Sequence, residues 1–168
     1  MNSLVRDLLS YSRMSRLEIN SEPVQVGKVI RDACAELDEG MRSKVAVSAD
    51  PSLCVCAHSV TLAQILFNLI NNGLKFYPPD ESPHVDVNAR REGGTIVISV
   101  RDEGIGIAPQ HQERIFQVFE RLHTADSYPG TGIGLAIVKR GITRMGGTVR
   151  VESAPGKGST FFLSLPAA

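Results

Sequence analysis

An excess of charge is the first thing missing from this sequence. Its 18 lysines and arginines are matched by 18 aspartates and glutamates, so the formal net charge of the 168 residues is zero. That excludes a broad electrostatic footprint for nucleic acid, and equally for an anionic membrane surface. Cysteine is scarce too. Three of them, Cys34, Cys54 and Cys56, suit neither a disulfide framework nor a paired metal-binding spacing; the expectation is buried free thiols in a reducing cytoplasm. No apolar run approaches the ~20 residues that span a bilayer, so no membrane contact is expected of this segment, and the first residues carry no secretory pattern. Internal repeats and low-complexity tracts are absent. What remains has the length of one domain with a short appendage, enough to bury a core without covalent staples.

Hydrophobic periodicity divides the chain at about residue 20. Leu4, Val5, Leu8, Leu9 and Tyr11 recur at helical spacing, so residues 1–19 read as a separate helix. Asn20, Ser21 and Pro23 break the pattern, and residues 20–168 read as the globular domain. Within it, strands are expected near 23–26, 45–49 and 53–57, and helices near 28–39 and 60–76. Two strands, 84–91 and 95–101, flank Glu92-Gly93-Gly94, a hairpin signal. A short helix over 109–116, a polar loop to Gly132, a helix to Met145 and strands at 148–153 and 159–165 complete the reading. Hairpin-linked strands preclude an all-parallel sheet. The expected fold is an α/β two-layer sandwich, a mixed sheet with helices on one face, plus the N-terminal helix.

The helix at 60–76 presents Leu62, Ile65, Leu66, Leu69 and Gly73 on one stripe and Gln64, Asn68, Asn71, Asn72 and Lys75 on the other, with Phe76 at the boundary. Asparagine is a mediocre helix former, so three on one face need a reason. Asn68 and Asn72, at i and i+4, can offer two amide oxygens to one hard cation such as Mg2+, whose remaining ligands would be phosphates and water. Lys75 can meet a phosphate as a point charge. A solvated polar face is the alternative reading.

Two glycine boxes follow. Asp102-Glu103-Gly104-Ile105-Gly106 ends a strand; glycines leave room for a flat ligand, and a carboxylate there can accept the exocyclic amine of adenine while repelling the guanine carbonyl. A plain β-to-α turn is the alternative. Gly130-Thr131-Gly132-Ile133-Gly134-Leu135 opens a helix, whose free N–H groups and dipole favour an anion. Gly132-Ile133-Gly134 lacks the third glycine of the dinucleotide fingerprint and follows no strand, and Gly156-Lys157-Gly158 lacks the Ser or Thr of a Walker-type loop. Between the boxes, Phe116 and Phe119 are suited to anchor a lid, expected over about 121–131 and mobile without ligand.

Taken in order, Asn68-x-x-x-Asn72-x-x-Lys75-Phe76, Asp102-x-Gly104-x-Gly106, Phe116-x-x-Phe119, Gly130-x-Gly132-x-Gly134 and Gly158-Ser159-Thr160 resemble the histidine kinase branch of the Bergerat-fold (GHKL) ATP-binding family. The resemblance covers residues from about 22 to the C-terminus. It implies ATP and Mg2+ as cofactors, with Asn72 and Asn68 on the metal, Lys75 on phosphate and Phe76 beside the adenine. It also implies Asp102, Gly104 and Gly106 around the base, Arg121 at the lid, and Gly130, Thr131, Gly132, Gly134 and Leu135 around the triphosphate. Thr160 would reach the base through water. Val5–Arg13 looks like the end of the second helix of a dimerisation and phosphotransfer hairpin, which implies a homodimeric full-length kinase and a response regulator as partner. His58, His84, His111 and His123 lack the acceptor context, so the phosphorylated histidine is expected on a segment outside this chain.

The segment Phe119-Glu120-Arg121-Leu122-His123-Thr124 is similar to kinases of the phytochrome-linked type. The hydrolysing branch of the same family carries a Glu one turn before the magnesium asparagine. Here that position is Asn68, an amide that takes no proton at neutral pH, which favours transfer over hydrolysis. The competing readings are an anti-sigma-type serine kinase, and a nucleotide-binding signalling module without transfer activity.

Overall fold

The structure, a computed structural model, describes residues 2–123 and 126–168. Along the chain, α1 (Ser3–Arg16) is followed by β1 (Glu22–Gln25), α2 (Val26–Ala35) and a short α3 (Glu39–Arg42). Then come β2 (Val45–Ala49), β3 (Cys54–Ala57), the long α4 (Ser59–Lys75), and the hairpin of β4 (Val85–Glu92) and β5 (Thr95–Asp102). Last are α5 (Gly134–Arg144), β6 (Thr148–Ser153) and β7 (Ser159–Pro166).

The main sheet has five strands in the order β2-β4-β5-β7-β6. β2 runs parallel to β4, and the other neighbours are antiparallel, so the sheet is mixed as expected. Strand alternation places Ile96, Ile98 and Val100 of β5 and Phe161, Leu163 and Leu165 of β7 in the core. Helical spacing places Leu62, Ile65, Leu66 and Leu69 of α4 against them. Val29 and Ile30 of α2 and Val138 and Ile142 of α5 join the same core. One continuous apolar layer therefore lies between sheet and helices, which is the two-layer sandwich.

Several details depart from the sequence reading. Residues 109–116 do not form one helix but two 3₁₀ turns, Pro109–His111 and Arg114–Phe116. Too few residues separate Pro109 from the next turn to repay a helical nucleus. β1 and β3 pair antiparallel in a small sheet of their own. α2 stops at Ala35, where the Glu36 N–H bonds back to the Ala33 carbonyl and the Leu37 N–H to that of Cys34. Of the thiols, only Cys34 is buried, and burial raises its pKa. Cys54 and Cys56 are half-buried on one side of β3, because Val55 and Ala57 take the core side.

The N-terminal helix forms as expected and packs against α5. Met14 of α1 is buried with Ile133 and Ile137 at the start of α5, and Leu4, Tyr11 and Val118 pack around them. The Arg144 guanidinium at the far end of α5 donates to the Met14 carbonyl. The apolar row thus splits into two faces. Leu4 and Tyr11, which the helical spacing would leave exposed with Leu8 to meet a partner helix, turn instead to the domain, whereas Val5, Leu8 and Leu9 stay exposed at 46, 38 and 47%.

Candidate functional site

A cavity of about 410 Å³ opens between α4, the end of β5 and the two glycine boxes. The polar face of α4 forms its floor: Asn68, Asn71, Asn72, Lys75 and Phe76 all line it, while Gln64 does not. Their convergence follows from the opposite face of the same helix, whose fully buried leucines and isoleucines fix its rotation. The Asn68 Nδ2 donates to the Gln64 carbonyl at 3.0 Å. That pins the amide and turns its Oδ1 toward Gly134, where an added Cβ would lie 3.1 Å from that oxygen. Lys75 Nζ sits 4.5 Å from the centre of the Phe76 ring. Burial and the Arg121 guanidinium push the Lys75 pKa down, and Asp7 pushes it back up.

Asp102 closes the other end. It is the last member of the inward row Ile96, Ile98, Val100, Asp102 on β5, and it fits beneath α4 because Gly73 has no side chain. A Cβ on Gly73 would stand 3.3 Å from the Asp102 Cβ. The Gly104 N–H donates to Asp102 Oδ1 at 2.9 Å. Burial pushes this carboxyl up to about 6, with the Gly104 and Ser159 N–H groups pulling the other way. The loop after Asp102 is held by Tyr77, whose hydroxyl accepts from the Glu103 N–H at 2.9 Å and donates to the His84 carbonyl at 2.6 Å.

The glycines of the first box have a different neighbour from the one expected. Gly104 and Gly106 leave room for protein backbone as well as for a ligand: a Cβ on Gly104 would meet the Phe76 carbonyl oxygen at 2.1 Å, and one on Gly106 the Ala154 oxygen at 1.9 Å. Gly106 lines the cavity; Gly104 lies behind it, cradling Asp102. In the second box Gly130, Thr131, Gly132, Gly134 and Leu135 all reach the cavity, as does Arg121.

Thr160 does not. Register pairs Asp102 with Ser159 and Arg101 with Thr160, so Ser159 and Phe161 face the cavity and Thr160 faces the opposite side of the sheet. Thr160, expected near the base, is thus turned away from the cavity and Ser159 stands there instead; the Ser159 hydroxyl also meets Ser153 Oγ at 2.7 Å.

Sequence reasoning also missed the aromatic closure of the cavity. Tyr128 packs tilted against Phe76 at 5.3 Å and edge-on to His123 at 5.4 Å, and its hydroxyl donates to the Tyr77 carbonyl at 2.9 Å. Arg121 donates to the Tyr128 carbonyl at 3.0 Å. Scattered aromatics in a polar loop carry no period, so nothing in the sequence flagged them. The lid expected over 121–131 includes residues 124 and 125, which lie outside the described residues. Of its two anchors, Phe116 packs edge-on to Phe161, whereas Phe119 is 58% exposed at φ 65° and takes no part in the core.

With this geometry in hand, likeness to known proteins is specific. Residues 57–168 match the family described as histidine kinase-, DNA gyrase B-, and HSP90-like ATPase. The chain is 40% identical, over 99% of its length, to the phytochrome-like protein Cph1 of Synechocystis sp.. It is 37% identical, again over 99%, to the sensor-like histidine kinase SenX3 of Mycobacterium tuberculosis. Among solved structures it aligns with full-length ShkA in complex with AMPPNP, at 32% identity and a TM-score of 0.80 over 99% of this chain and 35% of that one. The mycobacterial sensor histidine kinase MprB aligns at 29% identity and a TM-score of 0.73, over 88% of this chain and 97% of that one.

The chain belongs to the family of histidine kinase-, DNA gyrase B- and HSP90-like ATPases, and within it is of the ATP-binding catalytic-domain type found in sensor histidine kinases. It spans 22% of the length of Cph1 and 42% of SenX3. No helix among the described residues is long and apolar enough to cross a membrane.

Proposed function

We propose that this chain binds ATP with Mg2+ and donates the γ-phosphoryl group to a histidine on a helical hairpin outside it. In this reading residues 1–19 are the end of that dimerisation and phosphotransfer hairpin, and residues 20–168 the catalytic domain. The observation that carries it is the polarity of the cavity: a half-buried carboxylate at one end, and Lys75, Thr131 and the start of α5 at the other. Adenine fits the first end, where Asp102 accepts its amine. A triphosphate fits the second, where a helix N-terminus and an ammonium attract negative charge.

The amides of Asn68 and Asn72 are oxygen donors of the kind Mg2+ accepts. Among the described residues there is no cluster of three His, Cys, Asp or Glu that could hold a metal, so the ion's charge would be balanced by the phosphates it arrives with. When bound, it supplies charge neutralisation across the transferring group. No carboxylate stands at position 68 to activate water, which favours transfer to a protein side chain. The exposed row of Val5, Leu8 and Leu9 is where the first hairpin helix and its dimer mate would pack. The response regulator, cytoplasmic location and dimer belong to the same reading.

The acceptor test is direct. Labelled ATP with this chain alone should leave no acid-labile label and little free phosphate. Addition of a separate hairpin bearing the acceptor histidine should give label on the hairpin, slowly, because the tether's effective concentration is lost. Acid-labile label on this chain alone would contradict it.

Asp102 predicts a pH profile. Its raised pKa means the folded state holds a proton that the unfolded state has already lost, so its contribution to stability is greatest at low pH and declines as pH rises toward about 6. Adenine binding runs the other way, because the amine needs the ionised carboxylate. ATP affinity should be flat above pH 7 and fall below about 6. Asp102→Asn should weaken binding by ~1–3 kcal/mol at pH 7.5 and remove the preference for ATP over GTP. Calorimetry in which the variant and the unsubstituted chain share one pH profile would remove Asp102 from the base site.

A further inference from the structure

The cavity wall contributed by α1 has no part in the reading above. Ser3 and Asp7, one helical turn apart, both line the cavity. Asp7 Oδ2 accepts a hydrogen bond from the Thr131 hydroxyl at 2.5 Å, and Thr131 stands in the glycine box that opens α5. The same carboxylate acts electrostatically on Lys75. The other acids at the cavity are engaged elsewhere: Asp102 lies at the base end under the Gly104 N–H, and Glu120 pairs with Arg114 at 2.9 Å. The groups assigned to the triphosphate thus already hold one carboxylate. It is carried by a helix that is also held to the domain by the Met14–Ile133–Ile137 cluster, with Leu4 and Tyr11 packed on it, and by the Arg144 bond.

We propose that Asp7 is a specificity-determining residue of this site, placing its carboxylate where the phosphates must go, so that triphosphate binding and docking of α1 compete. The proposal rests on the nucleotide reading above and adds to it. A triphosphate brought beside Thr131 and Lys75 meets a fixed negative charge in a partly desolvated cavity, where like charges a few ångströms apart repel strongly. Either the nucleotide binds more weakly, or Asp7 leaves Thr131 and loosens α1 from α5. Both are expected in proportion to the phosphate charge, and neither for a nucleoside. Binding of ATP is thereby coupled to the freedom of the helix that leads to the acceptor segment.

Asp7→Asn keeps the shape and an acceptor oxygen for Thr131 and removes only the charge. Calorimetry should show AMPPNP with Mg2+ binding about three- to tenfold tighter to the variant, ADP with a smaller gain, and adenosine unchanged. In the unsubstituted chain, hydrogen exchange of residues 3–16 should speed up on addition of AMPPNP and stay unchanged with adenosine. An AMPPNP affinity that Asp7→Asn leaves unchanged overturns the proposal. A weaker affinity seen only with Mg2+ overturns it as well, since the carboxylate would then be helping to hold the cation. Exchange in α1 that slows with AMPPNP does the same. If neither adenosine nor AMPPNP binds the unsubstituted chain, the nucleotide reading itself falls and takes this inference with it.

Discussion

Replacement of Gly106 by alanine is expected to destabilise the fold by about 3 kcal/mol or more and to abolish nucleotide binding. Two effects add. Gly106 sits at φ +73°, a left-handed conformation that costs an L-residue about 1 kcal/mol or more. Its new Cβ would also stand 1.9 Å from the Ala154 carbonyl oxygen, and backbone offers no flexible end to give way. The Asp102 loop would have to lift from the β6–β7 turn, breaking the bond from the Gly156 N–H to the Ile105 carbonyl. Gly93 separates the two effects: it has φ +59° in the β4–β5 hairpin with nothing within 4 Å of its would-be Cβ. Gly93→Ala should therefore cost only the conformational part, about 1 kcal/mol. Denaturant unfolding of the two variants measures the difference. Equal losses would show that the close approach of the two turns contributes nothing.

The second large effect is chemical rather than structural. Asn72→Ala should eliminate transfer to an added hairpin, because one of the two amide oxygens proposed for the metal is lost and the Asn68 amide, held by its Nδ2 donating to the Gln64 carbonyl, is not free to move into its place. Stability should not fall. Alanine is the better helix former by up to about 0.7 kcal/mol, and Asn72 is half-buried on the cavity side of α4 rather than in its core. An unfolding midpoint that holds or rises while Mg2+-dependent nucleotide affinity collapses is the expected pair of results. Retention of full transfer would remove Asn72 from the metal.

The architecture was readable from pattern because each layer is written locally. Alternation in residues 85–102 and 159–166 and the 3.6-residue stripe of α4 name the core faces directly, and the asparagines stand out since they are costly on a helix without a use. The hairpin at Glu92-Gly93-Gly94 was equally plain. Registers across distant strands were not. Thr160 and Ser159 are adjacent and chemically alike, and only the pairing of Ser159 with Asp102 decides which one faces the cavity. A one-residue choice in a strand exchanges its two faces.

The same division runs through the whole protein. Sequence by itself determined most of the elements, the mixed sheet, the order of the boxes and many of the residues that line one cavity, since these depend on short periods and on backbone chemistry at single positions. Tertiary structure alone decided what lies between distant segments. It put α1 against α5 with Asp7 at Thr131, 124 residues along the chain, brought Tyr128 onto Phe76, and set Gly106 against Ala154. None of these pairs has a sequence period linking its members. Each is created when independently patterned elements bury their apolar faces in a common core, and the loops between them are left to meet.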